Sequence, residues 1–236
     1  MSATTESVDP QMMAWDTSFW NVRVGRATHL DGVSEWAAEN TVGLVCLLLD
    51  ADRPAEIQEA EGRGFRLMDV RVTLDRVTVP RAHGCRLARA EDTGRLCAIA
   101  RTAFPLTRFY ADERLPDERC GDLYVEWTRS LCAGAADVVL VADRDGIPVG
   151  YVTVNVDGPN SEIGLIAVAA DYRGQSVGLD LTNAAIDWAH SRDGRQMTVV
   201  TQGRNVGALR TFGACGFRVS NMSVWMHKWY EGKGKK

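Results

Sequence analysis

Apolar positions along the chain alternate in some stretches and recur at helical spacing in others, which predicts strands interleaved with helices, an α/β protein. Asn21 to Ala27 alternates as a strand does, and Asp31 to Glu39 fits a helix with Asp31 at its cap. Val42 to Leu49 is the longest apolar run. It suits a buried strand and falls short of the ~18 residues that a bilayer span requires. Pro54 at the front and Gly62 and Gly64 at the rear bracket a helix over Ala55 to Glu61, and a long strand follows from Phe65 to Val79.

The segment Val79-Pro80-Arg81-Ala82-His83-Gly84 mixes Pro, Gly and polar residues, and it predicts a domain boundary. The expected organisation is a disordered leader over 1–14, a small α/β domain over 15–80, a larger domain over 84–230 and a flexible tail over 231–236. In the larger domain, Cys85 to Ala88 is a short strand, Glu91 and Asp92 open a helix that runs to Ala103, and Phe104 to Pro116 is a loop. Asp117 to Cys132 is an amphipathic helix with Leu123, Trp127 and Leu131 on one face. Strands follow at Val138 to Ala142, Val149 to Val156 and Ile163 to Val168, with Asp145-Gly146 as a hairpin turn, so that this part of the sheet is antiparallel.

Composition narrows the function. A hydrophobic fraction of 45% with 25% charged residues is that of an ordinary globular protein, and the polar, acidic first ten residues do not read as a secretory signal, so the expected location is cytoplasmic. A formal charge of -4 without charge blocks argues against nucleic acid as a partner, and no segment suggests a membrane. The six cysteines form no C-x-x-C pair and no metal-ligand spacing with histidine, so free thiols and no metal are expected.

The chemistry sits after the strand at Ile163 to Val168. Arg173-Gly174-Gln175-Ser176-Val177-Gly178 leads into a helix that carries Leu181, Ala184, Ala185, Trp188 and Ala189 at helical spacing. Small residues let backbone N–H groups approach a pyrophosphate, and the following helix N-terminus favours its negative charge. A plain strand-to-helix turn has the same appearance, so the continuation matters. Met197 to Thr201 is a strand, Asn205 caps a short helix through Cys215, Gly216-Phe217 ends it, and strands follow at Arg218 to Asn221 and Val224 to Trp229.

Those linked segments resemble the GNAT superfamily of acetyl-CoA N-acetyltransferases. Its Arg/Gln-x-x-Gly-x-Gly/Ala motif is represented by Arg173, Ser176 and Gly178, and its Asn-x-x-Ala-x-x-x-Tyr-x-x-x-Gly-Phe motif by Asn205, Ala208, Gly216 and Phe217. The resemblance covers 84–230. It implies a GNAT fold with a mixed, mostly antiparallel sheet, preceded here by the smaller α/β domain. It also implies acetyl-CoA as co-substrate, held by Ile166, Ala167 and Val168, by Arg173, Gly174, Gln175, Ser176, Val177 and Gly178, and by Asn205 and Ala208. Two positions depart from the pattern. Ser176 replaces the middle glycine, and its hydroxyl can itself bond a phosphate. Phe212 stands where many relatives carry the tyrosine that protonates the departing thiolate. A water, Tyr230 or Thr211 are the alternative donors, and Phe212 reads equally as a packing residue.

Glu162 resembles the base position of some branches, against the plainer reading of a charge at a strand edge, and Asn155 is placed to order a water beside it. The start Trp15-Asp16-Thr17-Ser18-Phe19-Trp20, the loop from Phe104 to Arg119, and Thr201-Gln202 are similar to the branch that includes dTDP-fucosamine acetyltransferase, a match that is loose over 21–80. That branch implies a small-molecule amine as partner, a dTDP-linked amino sugar. Arg108, Arg114 and Arg119 are the candidates to bind its diphosphate, Arg108 first because it lies in the loop, with Phe109 or Tyr110 stacking on the base. Arginines paired with Asp112, Asp117 and Glu118 are the plainer reading of the same loop. A homodimer through the late strands is also implied, with Trp225, Met226 and Trp229 in an interface or in the core.

Overall fold

The computed structural model describes residues 9–230. In chain order the elements are β1 (Gln11–Met12), α1 (Ala14–Trp20), β2 (Val24–Ala27), α2 (Val33–Glu39), β3 (Leu44–Asp50), α3 (Pro54–Gly62) and β4 (Arg66–Val77). They continue as β5 (Arg86–Leu87), α4 (Thr93–Ala103), α5 (Arg108–Ala111), α6 (Asp117–Ser130), β6 (Val138–Arg144), β7 (Ile147–Asp157) and β8 (Asn160–Val168). The last are α7 (Val177–His190), β9 (Gln196–Gln202), α8 (Val206–Ala214) and β10 (Arg218–Trp229).

Two compact units divide this chain. One comprises residues up to Arg71 with those from Met222 onward, and the other runs from Val72 to Asn221. The composition of 79–84 predicts a boundary there, yet the division falls inside β4, and the end of β10 belongs with the N-terminal unit. Pro and Gly mark a linker in sequence; a strand shared by two cores carries no such mark.

In the first unit β2 and β3 run parallel with α2 as the crossover, and β10 lies antiparallel to β3 from Ser223 opposite Asp50 to Trp229 opposite Leu44. The apolar run of β3 is buried as its pattern predicts, with Val45, Leu47 and Leu49 packed against Phe65 and Met226. Trp225 belongs to the core too, with Trp229 packed beside it. β10 lies between β3 and β4 in the strand order. The expected leader is partly built in. β1 pairs with β2, and the Asp9 carboxylate accepts the Thr28 N–H and hydroxyl, while the rest of the leader and the tail at 231–236 lie outside the described residues. Residue 14 begins a helix that alternation does not announce. Trp15 and Phe19, one turn apart, stack with centroids 5.1 Å apart. Asp31 does not cap α2; Gly32 takes that position in a left-handed conformation, φ 68°.

The second unit orders its strands β10–β4–β9–β8–β7–β6–β5; β5 with β6, β6 with β7 and β7 with β8 pair antiparallel, and β8 meets β9 in parallel. Asp145 and Gly146 both have positive φ, 54° and 79°, as the expected two-residue hairpin between β6 and β7 requires. Residues 72–77 of β4 complete this sheet, with Val72 and Leu74 entering the same core as Val154, Ile163, Leu181, Ile186, Met197, Val199 and Phe212. Arg76 ties that strand to the end of α8 by donating to the Cys215 carbonyl. The segments 218–221 and 224–229, expected as separate strands, are one continuous β10.

Candidate functional site

The site begins with an irregularity between β7 and β8. Val152 faces Ile166 and Val154 faces Ile163, so Gly164 and Leu165 together oppose the single residue Thr153. This is a β-bulge, which bends the strand and increases its twist. Thr153 is fully buried, and its Oγ1 accepts the Leu165 N–H at 2.8 Å. Gly164 is required by the close approach, because a Cβ there would lie 2.9 Å from that oxygen.

Beside the bulge the sheet opens. The parallel register of β8 with β9 runs from Asn160 opposite Gln196 to Ile163 opposite Val199 and stops there, although β8 continues to Val168 and β9 to Gln202. The N–H of Leu165 points to Thr153, and that of Ala169 donates to the Val149 carbonyl at 2.8 Å. Alternation along a strand therefore turns the N–H groups of Ile166 and Val168 away from β7, toward the side that β9 has left.

The chain then turns through a short 3-10 segment, Ala170–Tyr172, into the Gly-rich loop. Residues 173–176 are exposed, with Gly174 at φ 74° and Ser176 at φ 62°. Arg173 Nε donates to the Val168 carbonyl at 3.3 Å, and Gln175 Nε2 to the Asp171 carbonyl at 2.9 Å, which fix the loop on its own strand. The N–H of Asp180 bonds back to the Ser176 carbonyl at 3.1 Å, so those of Val177, Gly178 and Leu179 belong to the unsatisfied first turn of α7. A positive-φ loop feeding an open helix N-terminus suits a phosphate. Ser176 holds the left-handed conformation without glycine's freedom, at a cost of about 1–2 kcal/mol.

The second motif lies against the first. A Cβ on Gly178 would sit 3.4 Å from Thr211 Cγ2, so the start of α7 abuts α8. Asn205 caps α8 as expected, its Oδ1 accepting the Ala208 N–H at 3.2 Å. Phe212 is 1% exposed, in the core beside Phe217 at 5.8 Å between centroids, which is the packing reading of this residue. Thr211 Oγ1 donates to the Gly207 carbonyl at 3.0 Å. Tyr230 belongs to the other unit and packs against the core there.

Glu162 and Asn155 are brought together, directly opposite across β8 and β7, with Thr198 opposite Glu162 on β9. Both are exposed, and Glu162 lies one residue before the β8–β9 pairing ends. Asn155 Oδ1 is already engaged by the Asp137 N–H at 3.1 Å, while Asp137 Oδ2 accepts the Val156 N–H at 2.7 Å. The asparagine thus helps to lock the entry to β7, and only its amide NH2 is left to face Glu162.

The expected loop at 104–116 contains the one-turn α5, held by an aromatic cluster. Tyr124 stacks on Phe104 at 4.4 Å and meets Phe109 and Trp127 edge-on. Burial pushes the Tyr124 hydroxyl up to about 12, so it stays protonated, and Thr107 hydrogen-bonds it. Phe109 is only 2% exposed, so it anchors the loop from within and presents no face for a base; Tyr110 is half-buried. Arg108 lies over the Phe109 ring at 4.2 Å. Arg204 escaped the sequence reading. Its Nε and Nη2 reach the carbonyls of Leu106 and Thr107, and its position beside the Asn205 cap was the signal. No group of three or more His, Cys, Asp or Glu among the described residues is placed to hold a metal, and no helix there is long and apolar enough to cross a membrane.

The model of the acetyltransferase (GNAT) family matches residues 96–217. The chain is 25% identical over 234 residues to dTDP-fucosamine acetyltransferase of Escherichia coli O6:H1, covering 94% of this chain and 98% of that protein. It is 28% identical over 138 residues to the spore coat polysaccharide biosynthesis protein SpsD of Bacillus subtilis, where the match spans 58% of this chain and 48% of the relative. Among solved structures, a GCN5-related N-acetyltransferase from Sphaerobacter thermophilus superposes with a TM-score of 0.64 at 15% identity, over 93% of this chain and 76% of that one. The fold is therefore shared well beyond sequence similarity. With the motif loop, the splayed strands and a family match across more than half of its length, this chain belongs to the GNAT acetyltransferase family.

Proposed function

We propose that the protein transfers the acetyl group of acetyl-CoA to the amine of a nucleotide-linked amino sugar, by direct attack of the amine on the thioester. The observation that carries the transfer chemistry is the divergence of β8 from β9 beyond Ile163 and Val199, next to the positive-φ loop at 173–178. The acceptor class is supported by the similarity to dTDP-fucosamine acetyltransferase along nearly the whole chain.

In this reading the pyrophosphate lies against the amides of Arg173 to Gly178 and the first turn of α7. The extended, amide-bearing arm of the co-substrate runs beside Ile166 to Val168 as a strand would, with Asn205 and Ala208 on the other wall. An N–H of Ile166 or Val168 stabilises the oxyanion as the amine attacks the carbonyl carbon. The C–N bond forms, the C–S bond breaks, and the amine proton passes to Glu162 directly or through a water held by the Asn155 amide. Positioning supplies most of the acceleration. A thiol with an ordinary pKa of about 8.5 leaves tolerably as the thiolate, so the lack of a dedicated acid costs on the order of 100-fold rather than all activity. Arg108 and the half-buried Tyr110 line the acceptor side; Phe109 supports them from the core.

Release of CoA thiol on a panel of dTDP-amino sugars, aminoglycosides, amino acids and peptides tests this. Turnover confined to non-sugar amines would replace the acceptor class, and tight CoA binding with no turnover on any amine would replace the enzyme with a binding protein.

A further inference from the structure

Arg204 is an exposed residue in the turn between β9 and α8, and its guanidinium reaches a segment 97 residues away in sequence. Nε–H donates to the Leu106 carbonyl at 3.0 Å and Nη2 to the Thr107 carbonyl at 3.3 Å. The Thr107 carbonyl is the same oxygen that accepts the Tyr110 and Ala111 N–H groups, at 3.1 and 3.2 Å, the bonds that close α5. The residue after Arg204 is Asn205, whose side chain caps α8. Two neighbours in sequence therefore hold two different walls: one fixes the loop that carries Arg108 and Tyr110, the other caps α8, against whose Thr211 the start of α7 lies.

A helix of one turn does not sustain itself, since nucleation is unfavourable and few bonds repay it. The aromatic cluster anchors α5 from below through Phe109, and Arg204 is the polar restraint at its entrance. Two donors in the fixed plane of one guanidinium set the direction of both carbonyls together, which the single ammonium of a lysine cannot do.

We propose that Arg204 is a positioning residue that sets the acceptor loop, Leu106 to Ala111, in register with the cofactor helix α8, so that acceptor binding and acyl binding share one frame. The proposal rests on the reading of that loop as the acceptor side. Arg204 touches no reacting atom; it acts through Thr107 on Arg108 and Tyr110.

The test uses the full chain with Arg204→Ala and Arg204→Lys. Without any ligand, hydrogen exchange of the Tyr110 and Ala111 amides should rise roughly tenfold in Arg204→Ala, the factor that loss of hydrogen bonds from a charged donor implies, while α7 and α8 amides keep their protection. The dissociation constant for CoA should stay within about twofold. With a dTDP-amino sugar, acceptor KM should rise roughly tenfold with kcat changed little, and Arg204→Lys should recover part of the loss. Unchanged exchange at 110 and 111 overturns the proposal, as does a parallel loss of CoA affinity, which would place the effect in α8. Failure of the sugar amine as a substrate removes the acceptor assignment alone, because exchange in the absence of ligand still decides for or against the restraint.

Discussion

The hydroxyl of Thr153 accepts the backbone N–H of Leu165 at 2.8 Å, and this one bond occupies the place where a ladder bond between β7 and β8 is missing. It satisfies a half-buried donor that the bulge would otherwise leave without its strand partner. It also fixes the alternation that turns Ile166 and Val168 toward the opening beside β9. Thr153→Val keeps the shape and removes the acceptor, so stability should fall by about 1–3 kcal/mol in thermal melts, and acetyl transfer should drop further than CoA affinity. Thr153→Ser should retain both. Equal loss in the two variants would assign the effect to packing of the methyl group instead.

Ser176 carries a left-handed backbone at the cap of α7 without a glycine's freedom. Ser176→Gly should raise stability by about 1 kcal/mol. If the hydroxyl bonds a phosphate, CoA affinity falls despite that gain; unchanged affinity in calorimetry leaves the backbone amides as the whole of the anion site.

Phe212 is enclosed between the core and Phe217. Phe212→Tyr should therefore not restore a general acid. It places a hydroxyl in an apolar core at a cost of about 1–3 kcal/mol and leaves the pH–rate profile unchanged. A new limb in that profile would show that the ring edge reaches the reacting sulfur.

Asp92 is 5% exposed, accepts Nη1 and Nη2 of Arg86 at 2.7 and 3.0 Å, and also takes the Arg89 N–H at 2.7 Å. The Arg86 bonds, with help from the Arg89 amide, hold its carboxyl below the usual carboxylate range. A depressed folded pKa means the unfolded chain binds the proton more readily. The stabilisation is therefore complete above the unfolded value of about 3.9 and disappears as pH falls through the lower folded value. Asp92→Asn should cost about 1–3 kcal/mol at pH 7, with the gap from the natural chain closing below pH ~4. A gap that persists in acid would mean that packing, not charge, sets the loss.

The parts of this molecule that were legible in sequence are those in which local chemistry and tertiary role coincide. β3 is an apolar run because both faces are buried, the turn at Asp145-Gly146 needs positive φ, and Asn205 caps α8 with its own side chain. The Gly-rich loop was legible for the same reason. The opening of β8 from β9 was not, because it depends on a register that ends at Val199 and on a bulge announced by nothing beyond Gly164 and Thr153. The role of β4 was hidden likewise. Val72 and Leu74 alternate as any strand does, and only the assembled core shows that they belong with residues far downstream. Phe109 looked available because loops lie on the surface, but the aromatic cluster with Tyr124 and Trp127 draws its ring inside.

In the proposed function the opened strands and the Gly-rich loop serve acetyl transfer to a sugar-nucleotide amine. Its most direct test is the rate of CoA release from acetyl-CoA with a dTDP-amino sugar, for the natural chain and for Glu162→Gln. Release should be saturable and depend on the sugar amine, with kcat/KM reduced roughly 100-fold in Glu162→Gln near neutral pH, as expected for loss of a general base. No release above hydrolysis with any dTDP-amino sugar, while another amine turns over under the same conditions, would contradict it.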